Sequence, residues 1–253
     1  MAANSKVKYF LSAILSVSIW GFFSIPLRSL KAFDPQEILY YRTFISLAVI
    51  WLVILVFRKA KLRADLKYYS GLTKEKKRTF ITQNILSSIL LTLNWLTFIY
   101  AVNNVSLTSA AFAYMVCPLI TAFGGFILLK EKLSKIQLFS LAVALLSIGL
   151  LATGSIIEVT WSVVIATLYA FYLIIQRKMQ HVDKLNALAL QFIMSVMLML
   201  PFYLMNHKPV PEGMFFWGNI TLIAILFTIF PLFLSLYALV GIPSSTLGII
   251  IYL

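Results

Sequence analysis

The sequence predicts an all-α membrane protein with many spans. Of its 253 residues, 61% are hydrophobic and only 11% are charged, whereas soluble domains average about 45–50% apolar and about 25% charged residues. The mean hydropathy is +0.95. Long segments are apolar on every side and lack the period-two alternation of a β-barrel strand. These observations exclude a water-soluble domain and a disordered chain, and they favour a polytopic helical bundle.

Apolar segments of about 20 residues, the length that crosses a bilayer as a helix, follow one another along the chain. The eight full segments are Val7–Leu27, Pro35–Phe57, Phe80–Val102, Ser106–Leu129, Ile136–Gly154, Val159–Ile175, Leu185–Met205 and Phe215–Val240. The first is too long for the apolar region of a signal peptide, so we interpret it as a retained helix. Ser134 and Gln137 have the spacing of a capping box, which predicts where the fifth helix begins. A ninth segment begins near Ser245, and the sequence ends at Leu253.

The basic residues determine the predicted orientation. With the N-terminus in the cytoplasm, 17 Lys and Arg fall on the inner side and 3 on the outer side, as the positive-inside rule requires. Nine of the 17 lie in the loop Arg58–Arg78, which we interpret as a topology determinant beside anionic lipid. The net charge of +13 therefore does not indicate nucleic-acid binding. The predicted location is the plasma or inner membrane.

The chain matches itself weakly when it is shifted by 149 residues. The aligned pairs are Trp20 and Tyr169, Asp34 and Asp183, Arg42 and Gln191, and Ser46 and Ser195. Five spans per copy is an odd number, so the second copy is expected upside down, as in the inverted repeats of many secondary transporters. This division predicts two units, residues 1–154 and 155–253. The second unit stops within its fourth helix, and we expect a continuation of about 40–50 residues with a tenth span, at about 20 residues per span.

Seven short segments carry a family resemblance. They are Trp20-Gly21, Glu37-Ile38-Leu39-Tyr40-Tyr41-Arg42, Asn94-Trp95, Tyr100-Ala101-Val102-Asn103, Met115-Val116-Cys117-Pro118-Leu119, Lys130-Glu131-Lys132-Leu133 and Gly248-Ile249-Ile250-Ile251-Tyr252-Leu253. In their order and spacing, which cover nearly the whole chain, these segments resemble the drug/metabolite transporter superfamily, in particular EamA-domain proteins of the RarD type. The resemblance implies a permease of ten helices in two five-helix repeats, with both termini in the cytoplasm.

The acidic, histidine and cysteine residues give no support to an enzyme. All eight carboxylates lie in loops or within about one turn of a span end, so paired carboxylates have no site inside the bilayer. His181 and His207 are single loop residues and form no HExxH zinc motif. The one cysteine, Cys117, excludes an internal disulfide. We predict no catalytic residue, no metal site and no cofactor.

Arg42 is the first candidate for a substrate pathway. It lies seven residues past Pro35, roughly 10 Å along its helix at about 1.5 Å per residue, where a charge is costly and indicates function by default. The alternatives are a side chain that reaches the outer interface or an ion pair with Glu37. Gln191, its partner in the repeat, is polar at the mirrored depth and favours the pathway.

Polar, proline and aromatic residues in other spans complete the candidate set. Asn94 lies deep in the third span, where its amide either lines a pathway or joins two helices by a hydrogen bond. Pro118 cannot donate to the carbonyl of Tyr114, and a broken helix with a free carbonyl is typical of transporter sites; an ordinary proline kink is the alternative. Trp20 and Tyr169 occupy equivalent repeat positions and either line a cavity or pack in the core.

These observations predict a secondary transporter that moves a small organic metabolite or drug by alternating access. No nucleotide-binding motif is present, so ATP does not drive it within this chain. The expected partners are a small-molecule substrate, the lipid bilayer and a second copy of the chain in a homodimer, but no nucleic acid. The alternative is a non-transporting scaffold or receptor-like bundle, which needs no polar groups at matching depths in two repeats.

Overall fold

The computed structural model describes residues 2–151, 155–206 and 209–252, and every element in these ranges is helical. The α-helices are α1 (Ala2–Gly21), α2 (Ser24–Ser29), α3 (Pro35–Phe57), α4 (Lys59–Ser70), α5 (Lys74–Tyr100), α6 (Leu107–Leu129), α7 (Lys135–Leu151), α8 (Ile156–Lys178), α9 (Lys184–Asn206), α10 (Met214–Ala224), α11 (Phe230–Gly241) and α12 (Ser244–Ile250). Two π-helical segments, Ala101–Val105 and Ile225–Ile229, follow α5 and α10. The predicted unit boundary at residue 154, His207 and Leu253 lie outside the described residues.

Seven helical stretches in the described ranges are long and apolar enough to cross a membrane. They are Lys6–Ser29, Pro35–Phe57, Lys74–Val105, Leu107–Leu129, Ile156–Lys178, Lys184–Met205 and Met214–Gly241. The fifth predicted span corresponds to α7, for which 17 residues are described. The prediction of an all-helical, multi-pass membrane protein is confirmed.

The first span is not one continuous helix, as the sequence predicted, but is broken between α1 and α2. The backbone N–H groups of Phe22 and Phe23 donate to carbonyls three residues back, at 3.2 and 3.0 Å, instead of four. Pro26 has no N–H to offer the carbonyl of Phe22, so the regular helical ladder cannot continue through this point.

The basic segment Arg58–Arg78 was predicted as a loop, and this is wrong for most of its length. Its first part forms α4, and α5 begins within its second part. Asp65 Oδ2 on α4 accepts a hydrogen bond from Asn186 Nδ2 at 2.6 Å, and Arg58 Nη2 lies 2.7 Å from Asp183 Oδ2. The many Lys, Arg, Leu and Ala residues favour a helix, and these contacts hold it against the start of α9.

One predicted helix cap and two that the sequence analysis did not predict are present in the structure. Ser134 N donates to Gln137 Oε1 at 2.8 Å, and Gln137 N donates to Ser134 Oγ at 3.2 Å, so the predicted capping box is confirmed. Asp34 caps α3 and Asp183 caps α9, and the two caps have the same geometry as each other. Each accepts a hydrogen bond from the backbone N–H two residues on, at 2.9 and 3.1 Å.

The core lies along a seam where elements before residue 154 pack on elements after it. In this seam α1 packs on α11, α3 on α9 and α10, α5 on α8 and α9, and α6 on α8 and α12. Ser16 illustrates the close approach of α1 and α11, because its hydroxyl donates to the carbonyl of Pro231 at 2.7 Å and lies 2.7 Å from the hydroxyl of Ser235. The two predicted units therefore share one interior.

Gly241 allows the end of α11 to approach the start of α1. A Cβ built at Gly241 overlaps the ring of Tyr9 at Cδ2 and Cγ, well inside van der Waals contact. Because overpacking costs about 1–3 kcal/mol, we expect Gly241→Ala to lower the melting temperature of the detergent-solubilised protein by about 2–12 °C. Adding Tyr9→Leu should recover most of this loss. Gly218→Ala is the control, because no atom lies within 4 Å of its Cβ position; equal losses at both glycines would contradict the close approach.

Candidate functional site

A cavity lies in the middle of the bundle. About 60 Å³ of it is open to the centres of water molecules. Its aromatic lining residues are Trp20, Phe23, Trp95, Phe98, Tyr114, Tyr169 and Phe227. Arg42, Asn94 and Thr228 add a cation, an amide and a hydroxyl. Elements of both predicted units therefore enclose a small, largely aromatic chamber with few polar groups, which is the usual composition of a small-molecule site.

Five of the seven residues that the sequence singled out line this chamber. They are Trp20, Arg42, Asn94, Tyr114 and Tyr169. The five lie on different helices, so the fold brings together side chains that are separated by up to 149 positions in the sequence.

Gln191 and Pro118, the other two candidates, lie behind the wall of the cavity. Gln191 Oε1 accepts a hydrogen bond from the Tyr172 hydroxyl at 3.2 Å, and the Tyr172 ring stacks on that of Tyr169 with 5.9 Å between centroids. Pro118 packs toward α12, since its Cα lies 3.5 Å from the Cβ position of Gly248. Neither residue lines the cavity itself.

Arg42 extends its guanidinium into the cavity from α3. The residue is only 2% exposed, so its side chain does not reach toward the outer interface. Neither of the two ion pairs among the described residues includes it, and the alternative pairing with Glu37 is not formed. The guanidinium carbon instead lies 4.6 Å from the ring centroid of Trp95 and 5.9 Å from that of Phe23.

The charge of Arg42 is only partly compensated by these rings. Its Nε and Nη2 atoms are buried with no hydrogen-bond partner. A charge at this depth costs about 2.5–3.5 kcal/mol on an insertion scale, and each unpaired buried donor costs about 1–3 kcal/mol. A cation–π contact returns about 0.5–2 kcal/mol. Arg42 therefore retains a positive charge at the cavity wall and two donors that no protein group satisfies.

Asn94 joins two helices, one of the two roles that the sequence left open, and also lies in the wall of the cavity. Its Nδ2 atom donates to the carbonyl of Ile165 at 2.9 Å, which joins α5 to α8. The same side chain also lines the cavity. Its amide thus fixes one wall at the place where two helices enclose the chamber.

The π-helical segment Ile225–Ile229 forms another part of the wall. Pro231 has no N–H to donate to the carbonyl of Phe227, and that carbonyl instead accepts a hydrogen bond from Trp20 Nε1 at 3.0 Å. Thr228, the next residue, lines the cavity. Short π-helical segments are frequent at functional sites, and here the segment couples α1 to the broken helix of the second unit.

Sequence reasoning missed several aromatic residues of the wall. Phe23 lies 5.6 Å from Phe98 and 5.9 Å from Phe227, measured between ring centroids. Trp95 carries the shortest contact to the guanidinium. Its position directly after Asn94 in a family-like segment was the one signal that pointed toward it.

Residues 7–153 match the profile of the EamA-like transporter family. The chain is 27% identical over 255 residues to the uncharacterized transporter YojE of Bacillus subtilis, covering 99% of this chain and 83% of that protein. It is 26% identical over 259 residues to Protein RarD of Streptomyces exfoliatus, covering 100% and 78%. It is 30% identical over 180 residues to the uncharacterized transporter PA0485 of Pseudomonas aeruginosa, covering 70% of this chain and 57% of that protein.

A solved crystal structure shares the fold. It superposes with a TM-score of 0.71 over 98% of this chain and 84% of that chain, at 14% sequence identity. This similarity extends beyond the residues matched by the family profile, into the helices that follow residue 153.

Proposed function

The chain belongs to the EamA-like transporter family, and on this basis we propose that it is a secondary transporter of a small organic molecule. A relative that matches 99% of the chain is named an uncharacterized transporter. The observation that carries the proposal is the central cavity, in which Arg42 offers an unpaired cation inside a wall of aromatic rings. A scaffold has no need of such a group, which lowers the stability of the bundle.

The position of the cavity fits alternating access. Arg42 is the eighth of 23 residues in α3, and Tyr169 is the fourteenth of 23 in α8. Both residues therefore lie toward the middle of their spans. Secondary transporters bind their substrates near the bilayer midplane, between two repeats that move against each other.

The packing supports an inverted repeat of residues 1–154 and 155–253. In this alignment α1 corresponds to α8, α3 to α9, α5 to α10 and α11, and α6 to α12. The α1–α11 interface then has a counterpart in α8–α5, and the α3–α10 interface has one in α9–α5. The equivalent residues Asp34 and Asp183 both cap a helix. Such paired interfaces are expected when two copies are related by a pseudo-two-fold axis.

The proposed orientation places the N-terminus and α4 in the cytoplasm. It rests on the excess of Lys and Arg on that side, 17 against 3. The basic surface of α4 then faces anionic lipid headgroups.

The cavity has no group suited to a catalytic step. Its lining, which falls within the described residues, combines a guanidinium, an amide and hydroxyl groups with aromatic rings and holds no carboxylate or imidazole. Groups of this kind bind and orient a molecule but provide no general base near neutral pH.

Filling the cavity is expected to stop transport. Ala113 on α6 is buried in the lining, and Ala113→Leu adds three carbon atoms to a space with about 60 Å³ for water centres. Proteoliposomes of the full-length protein are loaded with a soluble metabolite extract of bacteria, with and without an imposed pH gradient, and mass spectrometry identifies what leaves. We expect the wild type to release at least one metabolite that empty liposomes retain, and Ala113→Leu to release it at least tenfold more slowly.

The matched control is Ala142→Leu, which adds the same atoms on the exposed surface of α7. It should transport like the wild type when protein amounts are equal. Release by the wild type no faster than from empty liposomes would overturn the transporter proposal. Equal release by Ala113→Leu would remove the cavity from the pathway.

A further inference from the structure

The free edge of the Arg42 guanidinium has the shape of a binding group. Its Nε and Nη2 atoms carry N–H bonds that point to the same side of the planar group, and both atoms are buried without a partner. A carboxylate or phosphate places two oxygens opposite such a pair in the bidentate geometry that arginine favours. Two adjacent unused donors therefore match the two oxygens of an anion.

The chain does not supply that anion from its own described residues. The two ion pairs there, Arg58–Asp183 and Arg177–Glu131, lie at helix ends. No carboxylate lines the cavity. Trp95 and Phe23 face the guanidinium with their rings, and a ring offers a cation only a weak partial charge. The counter-charge has to arrive with a ligand.

The rest of the wall suits a planar or apolar body. Phe23 stacks near Phe98 with 5.6 Å between centroids, and Trp20 meets Tyr169 edge-on at 5.5 Å. Such surfaces pack favourably on flat apolar groups. Only about 60 Å³ is open to the centres of water molecules, so the fitting ligand is small.

From these observations we propose that the cavity binds a small organic anion. Its carboxylate or phosphate group pairs with Nε and Nη2 of Arg42, and its planar or apolar body contacts the aromatic wall. The inference rests on the proposed function, because it names the substrate class of the same cavity. An inorganic anion leaves the wall uncovered, and an organic cation is repelled by the arginine.

Ligand binding to the full-length protein in detergent tests this assignment without any transport step. Trp20 and Trp95 line the cavity, so quenching of tryptophan fluorescence reports its occupancy, and thermal shift gives an independent readout. The probes are benzoate, phenyl phosphate, benzamide, benzylamine and inorganic phosphate. We expect benzoate or phenyl phosphate to bind at least tenfold more tightly than benzamide, and benzylamine and inorganic phosphate to give no shift. The tighter of the two organic anions identifies the acidic group.

Variants of Arg42 separate charge from shape. Arg42→Gln should weaken the tighter organic anion at least tenfold, so that it binds no better than benzamide. Arg42→Lys retains the charge without the planar fork and should keep the preference for anions at reduced affinity. Arg28→Gln removes an exposed arginine outside the cavity and should change nothing. Melting curves without ligand show whether each variant is folded.

Equal binding of benzoate, phenyl phosphate and benzamide by the wild type would overturn the anion assignment. Absence of binding by all the probes, or anion binding that Arg42→Gln leaves unchanged, would overturn it as well. The transporter proposal fails separately. If anions bind in an Arg42-dependent way but no metabolite is released, the binding site stands and the transporter proposal is wrong. If only neutral or cationic metabolites are released, the transporter proposal stands and the assignment of an anionic substrate is wrong.

Discussion

Replacing Glu131 with alanine is expected to destabilise the folded protein by about 3–5 kcal/mol, the cost of leaving the partners of a buried charge unpaired. The Glu131 side chain is 10% exposed, and its Oε1 atom lies 3.8 Å from Arg177 Nε. The carboxylate accepts hydrogen bonds from the backbone N–H groups of Ser244 and Ser245 at 2.9 and 3.0 Å, and from the Ser244 hydroxyl at 3.0 Å. One side chain that follows α6 thus caps the start of α12.

The turn at the end of α6 explains how Glu131 reaches α12. Lys130 adopts a left-handed conformation with φ of 54°, as residues that end helices commonly do, and Glu131 N donates to the carbonyl of Gly125, six residues back, at 3.1 Å. The chain reverses sharply, and the carboxylate returns over Gly125. A Cβ at Gly125 lies 2.7 Å from Glu131 Oε2, so glycine is needed for this approach.

Thermal unfolding in detergent measures the effect of Glu131→Ala. At about 2–4 °C per kcal/mol, the melting temperature should fall by about 6–20 °C. Glu131→Gln keeps the size but turns one acceptor oxygen into an amide donor, so we expect a smaller loss. Glu75→Ala, on the exposed first turn of α5, is the control and should have little effect. If Glu131→Ala has the same melting temperature as Glu75→Ala, then α12 does not depend on the carboxylate of Glu131.

Local sequence signals predicted the helices well where each signal acts within a few residues. The second span was predicted as Pro35–Phe57 and has these bounds, because apolar length and a proline at the helix start act locally. The helix α4 was missed, since it is held by contacts such as Asp65 with Asn186, 121 positions away. The break near Phe22 was missed because Pro26 lies within an otherwise apolar segment.

The site was predictable only where polarity stands out against an apolar background. Arg42 and Asn94 were singled out because a charge and an amide at depth are costly. Phe23 was not, because the helices are apolar all round and the pattern does not show which face points inward. In the sequence Phe23 looks the same as its neighbour Phe22, which is 63% exposed. Tertiary packing alone separates a lining aromatic from one that faces lipid.

Arg42→Gln is expected to reduce transport about 10–100-fold while the ligand-free protein melts at or above the wild-type temperature. Loss of a charge-assisted hydrogen bond costs about 1.5–3 kcal/mol, and each 1.4 kcal/mol is about a factor of ten. Stability should change in the opposite direction, because the substitution removes a charge whose Nε and Nη2 atoms have no partner. Sites that bind ligands often retain such destabilising groups, and removing them exchanges activity for stability.

The measurement is the release of the metabolite that the wild type transports, from proteoliposomes with equal amounts of inserted protein, together with a melting curve. Arg28→Gln, which removes an exposed arginine, is the control and should retain both properties. A structural anchor at Arg42 predicts the opposite pattern, in which melting temperature and membrane abundance fall together and Arg42→Lys restores both. Normal release by both Arg42→Gln and Arg42→Lys would exclude the guanidinium from the pathway. A guanidinium that pairs with the anionic group of the substrate cannot be dispensable for transport of that substrate.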